Sequence, residues 1–210
     1  VDKARAAGVP VVGDIELFAR ALDALPEGRR PWVIAISGTK GKSTTATLVH
    51  LMLTRSGIDA GLAGNVGVPP LDIADRHAVV IFELSSYQTA DMNFLPDIAA
   101  ITNLYPEHVD WHRSVDRYYA DKLRLIDRDG GFPVALGAGA KGNALVAKAT
   151  RNHRRLLRDL NPEEMAIVES AVSRSRLKGA HNLDNALLAA QIALAAGGTM
   201  DGVVQGIKAF

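Results

Sequence analysis

The segment from Trp32 to Ser56 restricts the fold more than any other part of the chain. Trp32 to Ile36 ("WVIAI") is a continuous apolar run of strand length, and a strand reads that way when both of its faces are covered. A glycine-bearing turn follows at once. From Ser43 to Ser56 the sequence is broadly apolar, with Val49, Met52 and Leu53 on one side, and Gly57 stands where a helix C-terminus takes a left-handed residue. Three more apolar runs of strand length come later: Ile58 to Ala63, Ala78 to Leu84 and Asp97 to Thr102. Strand, helix and strand in that order predict βαβ units, hence an α/β fold with a mostly parallel sheet flanked by helices.

The second half is less regular. Ser114 to Asp129 predicts an amphipathic helix entered at Ser114 and stopped by Gly130 and Gly131, and Asn182 to Ala196 predicts an Ala-rich one. Between them, "GAGAKGNA" suits a turn or loop, whereas "NHRRLLRDLNPEEMAIVESAV" suits a helix broken at Asn161 and Pro162. Residues 1–30 read as a leading segment, with Pro26 and Pro31 bracketing a linker.

Composition removes several function classes. Lys and Arg total 24 against 23 Asp and Glu, so no global basic field points to nucleic acid or an anionic membrane, and any anion must be bound locally. The absence of cysteine excludes disulfides and thiolate metal sites and fits a reducing compartment. The longest apolar stretch, Ala186 to Gly198, is too short to cross a bilayer. The chain opens on Val1 without a signal pattern, which reads as a start internal to a longer gene product.

The turn after the first strand carries the chemistry. Gly38 and Gly41 let backbone N–H groups face an anion, Lys42 adds a positive charge, and Ser43 offers a hydroxyl at a helix start. A Gly-rich surface turn would explain the glycines and lysine, but not their position between a buried strand and a long helix. The general spacing G-x-x-x-x-G-K-[ST] would need glycine where Ile36 stands, so the match is partial.

Three other side chains stand out. Glu83 ends an apolar strand, where a carboxylate needs a cation or hydrogen-bond donors. Lys122, by spacing alone, reads as a solvated helix lysine pairing with Asp121 or another nearby carboxylate. His108 and His112 have the spacing of a zinc pair, but a zinc hydrolase needs Glu directly after the first His, and Val109 is there.

Several ordered blocks resemble the Mur ligases and their relative folylpolyglutamate synthase. "GTKGKST" is similar to their short ATP-binding loop, and "GNVGVPPL" to their G-N-I-G segment. "FELSSYQ" resembles the E-L-S-S-[FY]-Q block of the D-glutamate-adding branch. "ITNLYPEHVDWH" resembles N-x-x-x-D-H-x-D-[RW]-H, with Glu107 where Asp is common. "YYADKLRLI" and "LKGAHNLDNALLA" resemble a lysine-bearing helix and an H-N-x-x-N helix.

The resemblance implies an ATP-dependent amide ligase of peptidoglycan precursor synthesis, serving cell-wall growth and division. ATP phosphorylates the carboxylate of UDP-N-acetylmuramoyl-L-alanine, and the amine of D-glutamate attacks the acyl phosphate. It implies a cytoplasmic monomer with two Mg²⁺ ions and no nucleic-acid or membrane partner. ATP is held by Gly38, Thr39, Lys40, Gly41, Lys42, Ser43 and Thr44, with Asn182 and Asn185 toward the adenine. Ser43 and Glu83 hold one Mg²⁺, and His108 and a carbamylated Lys122 serve the second. Lys42, His108 and Lys122 are the implied catalytic residues. Asn65, Ser85, Gln88 and His108 contact the muramoyl substrate. Taken alone, Asn65, Ser85 and Gln88 suit caps or turns equally well, and Asn182 suits a helix cap.

The same resemblance divides the chain. Residues 1–30 match the tail of an N-terminal UDP-binding domain and a linker, residues 31–210 the central ATP-binding domain, and the C-terminal amino-acid-binding domain is absent. Residues 133–176 lack the family's N-x-D-D-P stretch. The alternatives are another Mur ligase, folylpolyglutamate synthase, a small-molecule kinase, or a non-catalytic nucleotide-binding module.

Overall fold

A computed structural model describes residues 2–73, 75–90, 92, 94–107, 114–127, 131–151 and 155–210. Strands β1 (Trp32–Ser37), β2 (Ala60–Gly64), β3 (Val79–Glu83), β4 (Ile98–Asn103) and β5 (Val134–Gly139) form a parallel sheet in the order β2-β3-β1-β4-β5. The central strand, β1, places Ile34 opposite Ile81 of β3 and Ile98 of β4. Helices are α1 (Asp2–Ala6), α2 (Asp14–Asp23), α3 (Lys42–Arg55), α4 (Ser86–Ala90), α5 (Val115–Leu123), α6 (Ala144–Ala149), α7 (Pro162–Ser173), α8 (Ala180–Ala195) and α9 (Met200–Ala209). The first four strands and the helix after β1 lie where the sequence predicts them, within two residues.

Alternation along each strand feeds two cores. Ile34 and Ile36 enter the cluster built with α3, α7, α8 and α9, while Val33 and Ala35 enter the opposite one. Both faces are therefore dry, which is why the strand sequences show no polar alternation. On the second face α2 contributes Ile15, Phe18 and Leu22. Phe18 is fully buried and stands edge-on to Phe82 with ring centroids 4.5 Å apart, an arrangement worth about 0.5–1.5 kcal/mol beyond burial alone. The helix of the leading segment is thus packed into the same body as the sheet.

The structure corrects three expectations. The fifth strand is not among the strand-length runs named above, and its end, Gly137 to Gly139, lies in the "GAGAKGNA" stretch read as a turn or loop; small residues are required there. A Cβ on Gly137 would stand 2.3 Å from the Thr102 carbonyl oxygen, and one on Gly139 would stand 2.7 Å from Asn103 Cβ. Helix α5 begins as expected, with Ser114 accepting from Arg117 N–H, but ends at Leu123 rather than at the glycines. Ile126 and Asp127 N–H both donate to the Leu123 carbonyl, a tight turn that buries Leu125 and Ile126 at successive positions. Residues 128–130, including Gly130, lie outside the described residues.

Residues 155–161, before Pro162, are not helical either, and residues 152–154 lie outside the described residues. Leu156 bridges to Val134, and Gln191 of α8 donates to the Leu157 and Arg158 carbonyls, holding the segment extended. Pro162 begins α7, where its missing N–H costs nothing, and Asn161 and Glu164 close a reciprocal capping box.

Candidate nucleotide and metal site

Because the strands are parallel, Ser37, Gly64, Glu83, Asn103 and Gly139 all finish at one edge of the sheet. The chain leaves β1 toward β2 on one side and reaches β4 and β5 on the other, so the crevice above β1 and β4 is the topological switch point where open α/β sheets bind ligands. The Gly38–Ser43 turn lies there, and β4 holds it. Thr39 N–H donates to the Asn103 carbonyl (3.1 Å). The Asn103 side chain accepts from Lys40 N–H and donates to the Lys40 carbonyl, both at 2.8 Å, and Thr102 Oγ1 donates to that carbonyl at 2.7 Å.

Glycine is required at both ends of the turn. Gly38 has φ 139°, and a Cβ there would lie 2.0 Å from Thr102 Oγ1. Gly41 has φ 80°, and its Cβ would lie 2.3 Å from Asn185 Oδ1. Gly41 is the N-cap of α3 and supplies no side-chain cap, which leaves first-turn N–H groups of the helix for an anion. A cavity of about 310 Å³ opens beside it, walled by Lys40, Gly41, Thr44, Thr102, Asn103, Tyr105, Gly139, His181, Asn182 and Asn185 among others.

Two lysines converge on the turn. Lys42 Nζ donates to the Thr39 carbonyl at 2.9 Å. Burial pushes its pKa down, while the nearby carboxylates of Glu83 and Glu107 pull it back up. Lys122 Nζ donates to the Gly38 carbonyl at 2.6 Å and lies 4.9 Å from the centre of the Tyr118 ring. Lys122 is 2% exposed, and its pKa is lowered to about 7, first by burial and then by the Lys42 ammonium, against a smaller opposing pull from Glu107. The solvated lysine expected from spacing is thus overturned: the exposed partner of Asp121 is Arg117, at 3.7 Å.

Glu83 is 3% exposed, and its Oε2 has no hydrogen-bond partner among the described residues. A buried carboxylate oxygen left bare is costly, and a hard cation with oxygen ligands would satisfy it. Glu83 also lies close enough to Lys42 to act on its charge. Ser43 is exposed in the first turn of α3, on the same rim. Among the described residues no three His, Asp or Glu side chains gather as a complete metal cage. His108 lies outside the described residues, as does His112.

The other expected ligand residues are placed as follows. Asn65 is exposed after β2, and its N–H donates to the Glu83 carbonyl at 3.2 Å. Ser85 and Gln88 form a reciprocal cap on α4: Gln88 N–H donates to Ser85 Oγ, and Gln88 Oε1 accepts from Ser85 N–H and Oγ. Gln88 Nε2 then donates to Asp14 of α2 at 3.2 Å. Asn182 is not the N-cap of α8, which is Gly179; it sits in the first turn and donates to the Lys178 carbonyl. Asn185 is buried against Gly41.

Sequence reasoning did not single out Thr102, Asn103 or Tyr118. A Thr-Asn pair closing an apolar strand was the available signal for the first two. Tyr118 is fully buried with its hydroxyl 3.1 Å from Thr39 Oγ1, which also donates to the Tyr105 carbonyl and accepts from Tyr105 N–H. With the Thr39 proton so used, the Tyr118 hydroxyl is left to donate.

Residues 36–193 match the Mur ligase middle domain. The chain belongs to the Mur ligase family. Curated relatives carry the name UDP-N-acetylmuramoylalanine--D-glutamate ligase: that of Caulobacter vibrioides (strain NA1000 / CB15N) is 36% identical over 235 aligned residues, covering all of this chain and 50% of the relative. That of Ruegeria pomeroyi is 44% identical over 138 residues, covering 62% of this chain and 29% of the relative. The chain therefore spans about half the length of the curated relatives it matches.

Solved structures agree on the fold of this Mur ligase middle domain. MurF from Acinetobacter baumannii superposes with a TM-score of 0.69 at 18% identity, over 93% of this chain and 49% of that one. Escherichia coli FolC in complex with DHPP and ADP gives 0.61 at 15% identity, over 94% and 61%. Among the described residues no helix of the Mur ligase middle domain is long and apolar enough to cross a membrane.

Proposed function

We propose that this chain is the ATP-binding core of a ligase that adds D-glutamate to UDP-N-acetylmuramoyl-L-alanine through an acyl phosphate. The observation that carries the reading is the pairing of a preformed anion turn with the bare, buried Glu83 Oε2 next to Lys42. The names of the curated relatives favour this substrate pair. In this reading residues 1–30 derive from the end of a UDP-binding domain, residues 31–210 form the ATP-binding domain, and the amino-acid-binding domain belongs to the remainder of the ligase. The enzyme works as a cytoplasmic monomer.

The chemistry is mainly positioning and charge stabilisation, because a carboxylate and a triphosphate repel. The Gly38–Thr44 turn and the start of α3 receive the β- and γ-phosphates. Lys42 releases the Thr39 carbonyl and turns to the transferred phosphoryl group. Glu83 and Ser43 are the residues that would hold Mg²⁺, and such an ion would offset the charge that builds on the phosphate oxygens. Asn182 and Asn185 line the cavity that receives the nucleoside. Asn65, Ser85 and Gln88 stand toward the muramoyl substrate, and His108 serves the second ion.

Carbamylation would make Lys122 a ligand for that ion. The ammonium first gives one proton to solvent; the neutral amine nitrogen then attacks CO₂, an N–C bond forms as one C=O π pair moves to oxygen, and a second proton leaves to solvent, giving a carbamate anion. Burial and the Lys42 charge favour the neutral amine that this step requires.

Calorimetry with a non-hydrolysable ATP analogue tests the core reading. Saturable, Mg²⁺-dependent binding is expected for this chain, with loss in Lys42→Met. Binding that is absent, or equal with and without Mg²⁺, overturns it. In the ligase with its flanking domains, ADP release should depend on both D-glutamate and UDP-N-acetylmuramoyl-L-alanine. Turnover with a different amino acid would reassign the acceptor.

A further inference from the structure

A second cavity, also of about 310 Å³, adjoins the nucleotide cavity and shares Gly137, Ala138, Asp184 and Leu188 with it. Its size is that of a small-molecule site. Leu136 of β5, Leu160 ahead of α7, Met165 within α7, and Leu187 and Leu188 of α8 make its walls largely apolar.

The polar side chains on those walls are Lys141, Asp159, Asp184 and Gln191. Lys141 Nζ pairs with Asp159 Oδ1 at 2.5 Å, so these two charges cancel locally. Asp184 makes no ion pair or hydrogen bond among the described residues, which leaves the lining with an uncompensated negative charge. Gln191 is 7% exposed, and its Nε2 donates to the Leu157 carbonyl at 3.1 Å and the Arg158 carbonyl at 2.7 Å. Both amide hydrogens are thereby engaged, and Oε1 accepts from no donor among the described residues. The cavity offers acceptors and negative charge, whereas the phosphate turn next door offers donors and positive charge.

We infer that this cavity is a binding site for a small planar aromatic cation of the amidine or aminoheteroaromatic class. The ring lies among the leucines and Met165, where its burial is favourable. One cationic N–H group meets the Asp184 carboxylate in a charge-assisted hydrogen bond, and a second N–H supplies the donor that Gln191 Oε1 lacks. An anionic ring of the same shape is rejected by Asp184. These contacts lie off the phosphate turn, while Asp184 and Leu188 also face the neighbouring nucleotide cavity, so the titration is made without nucleotide.

Fluorescence titration of the chain with p-aminobenzamidine, in the absence of nucleotide, tests it. A saturable rise in emission is expected, weakened by about tenfold or more in Asp184→Asn, the loss of one charge-assisted contact. Leu160→Trp, which fills the space, should abolish the rise, and p-aminobenzoate should not compete. No saturable rise, equal affinity in both variants, or equal competition by p-aminobenzoate overturns the assignment. Should circular dichroism show that Leu160→Trp does not fold, Asp184→Asn decides, because its exposed position leaves the packing intact.

Discussion

Lys122 Nζ lies 2.6 Å from the carbonyl oxygen of Gly38, so a helix 84 residues downstream is fastened to the phosphate turn by one buried amine. Burial at this contact, and then the Lys42 ammonium, set the protonation of that amine and its part in the pH behaviour of the fold. A lysine whose folded pKa falls to about 7 from 10.5 opposes folding while it must be protonated, below about 7, and the opposition fades as pH rises toward the unfolded value. Relative to Lys122→Met, the parent protein should therefore gain stability between pH 6.5 and 9. Urea midpoints at the two pH values in CO₂-free buffer measure this, and a parent–variant difference that does not change with pH contradicts it.

Asn103 grips both the N–H and the carbonyl of Lys40. Asn103→Ala removes two hydrogen bonds worth about 1 kcal/mol each and releases the turn. Nucleotide affinity should fall by about tenfold or more, with a smaller loss of thermal stability; calorimetry and a melt report the two separately. An unchanged affinity would mean that the turn keeps its shape without β4.

Glu83→Gln keeps the shape of the side chain and removes its charge. Because Oε2 is bare in the folded protein, the variant should unfold at the same or a higher temperature than the parent. Its nucleotide binding should no longer respond to Mg²⁺. Loss of stability by more than about 1 kcal/mol, with the Mg²⁺ response retained, would place the partner of Glu83 in the protein instead.

Glu164 accepts from Arg158 and from Asn161 N–H, and these partners lower its pKa to about 2 from 4.5. A depressed carboxyl stabilises the fold above its unfolded pKa, and that contribution disappears as pH falls through the folded value. Acid unfolding between about pH 4.5 and 2 should thus be shallower in Glu164→Gln than in the parent. Circular dichroism across that range is the measurement, and parallel curves would count against the link.

Legibility in the sequence tracked how far each element's fate was decided locally. The runs at Trp32 and Ala78 had to be strands because their apolar residues leave no wet face, and the helix after Ser43 carried its own stop at Gly57. The fifth strand was hidden because Gly137 and Gly139 answer to atoms of β4 rather than to their own neighbours. The end of α5 was hidden likewise, since Leu125 and Ile126 follow the core and not a helical period. At the site, Gly38, Gly41 and Lys42 announced an anion turn, but its fasteners, Thr102, Asn103 and Tyr118, bond to it across 62 residues or more. Lys122 shows the limit most clearly: spacing alone put it in water, whereas the packing of α5 on the turn puts it under cover.

The double grip of Asn103 on Lys40 also separates when the anion site is shaped from when it is filled. The entropy of arranging the glycines is lost as β4 joins β1 during folding, so an arriving triphosphate finds little left to organise. On the proposed reading, a change in β4 that loosens this grip would then surface as weaker nucleotide capture.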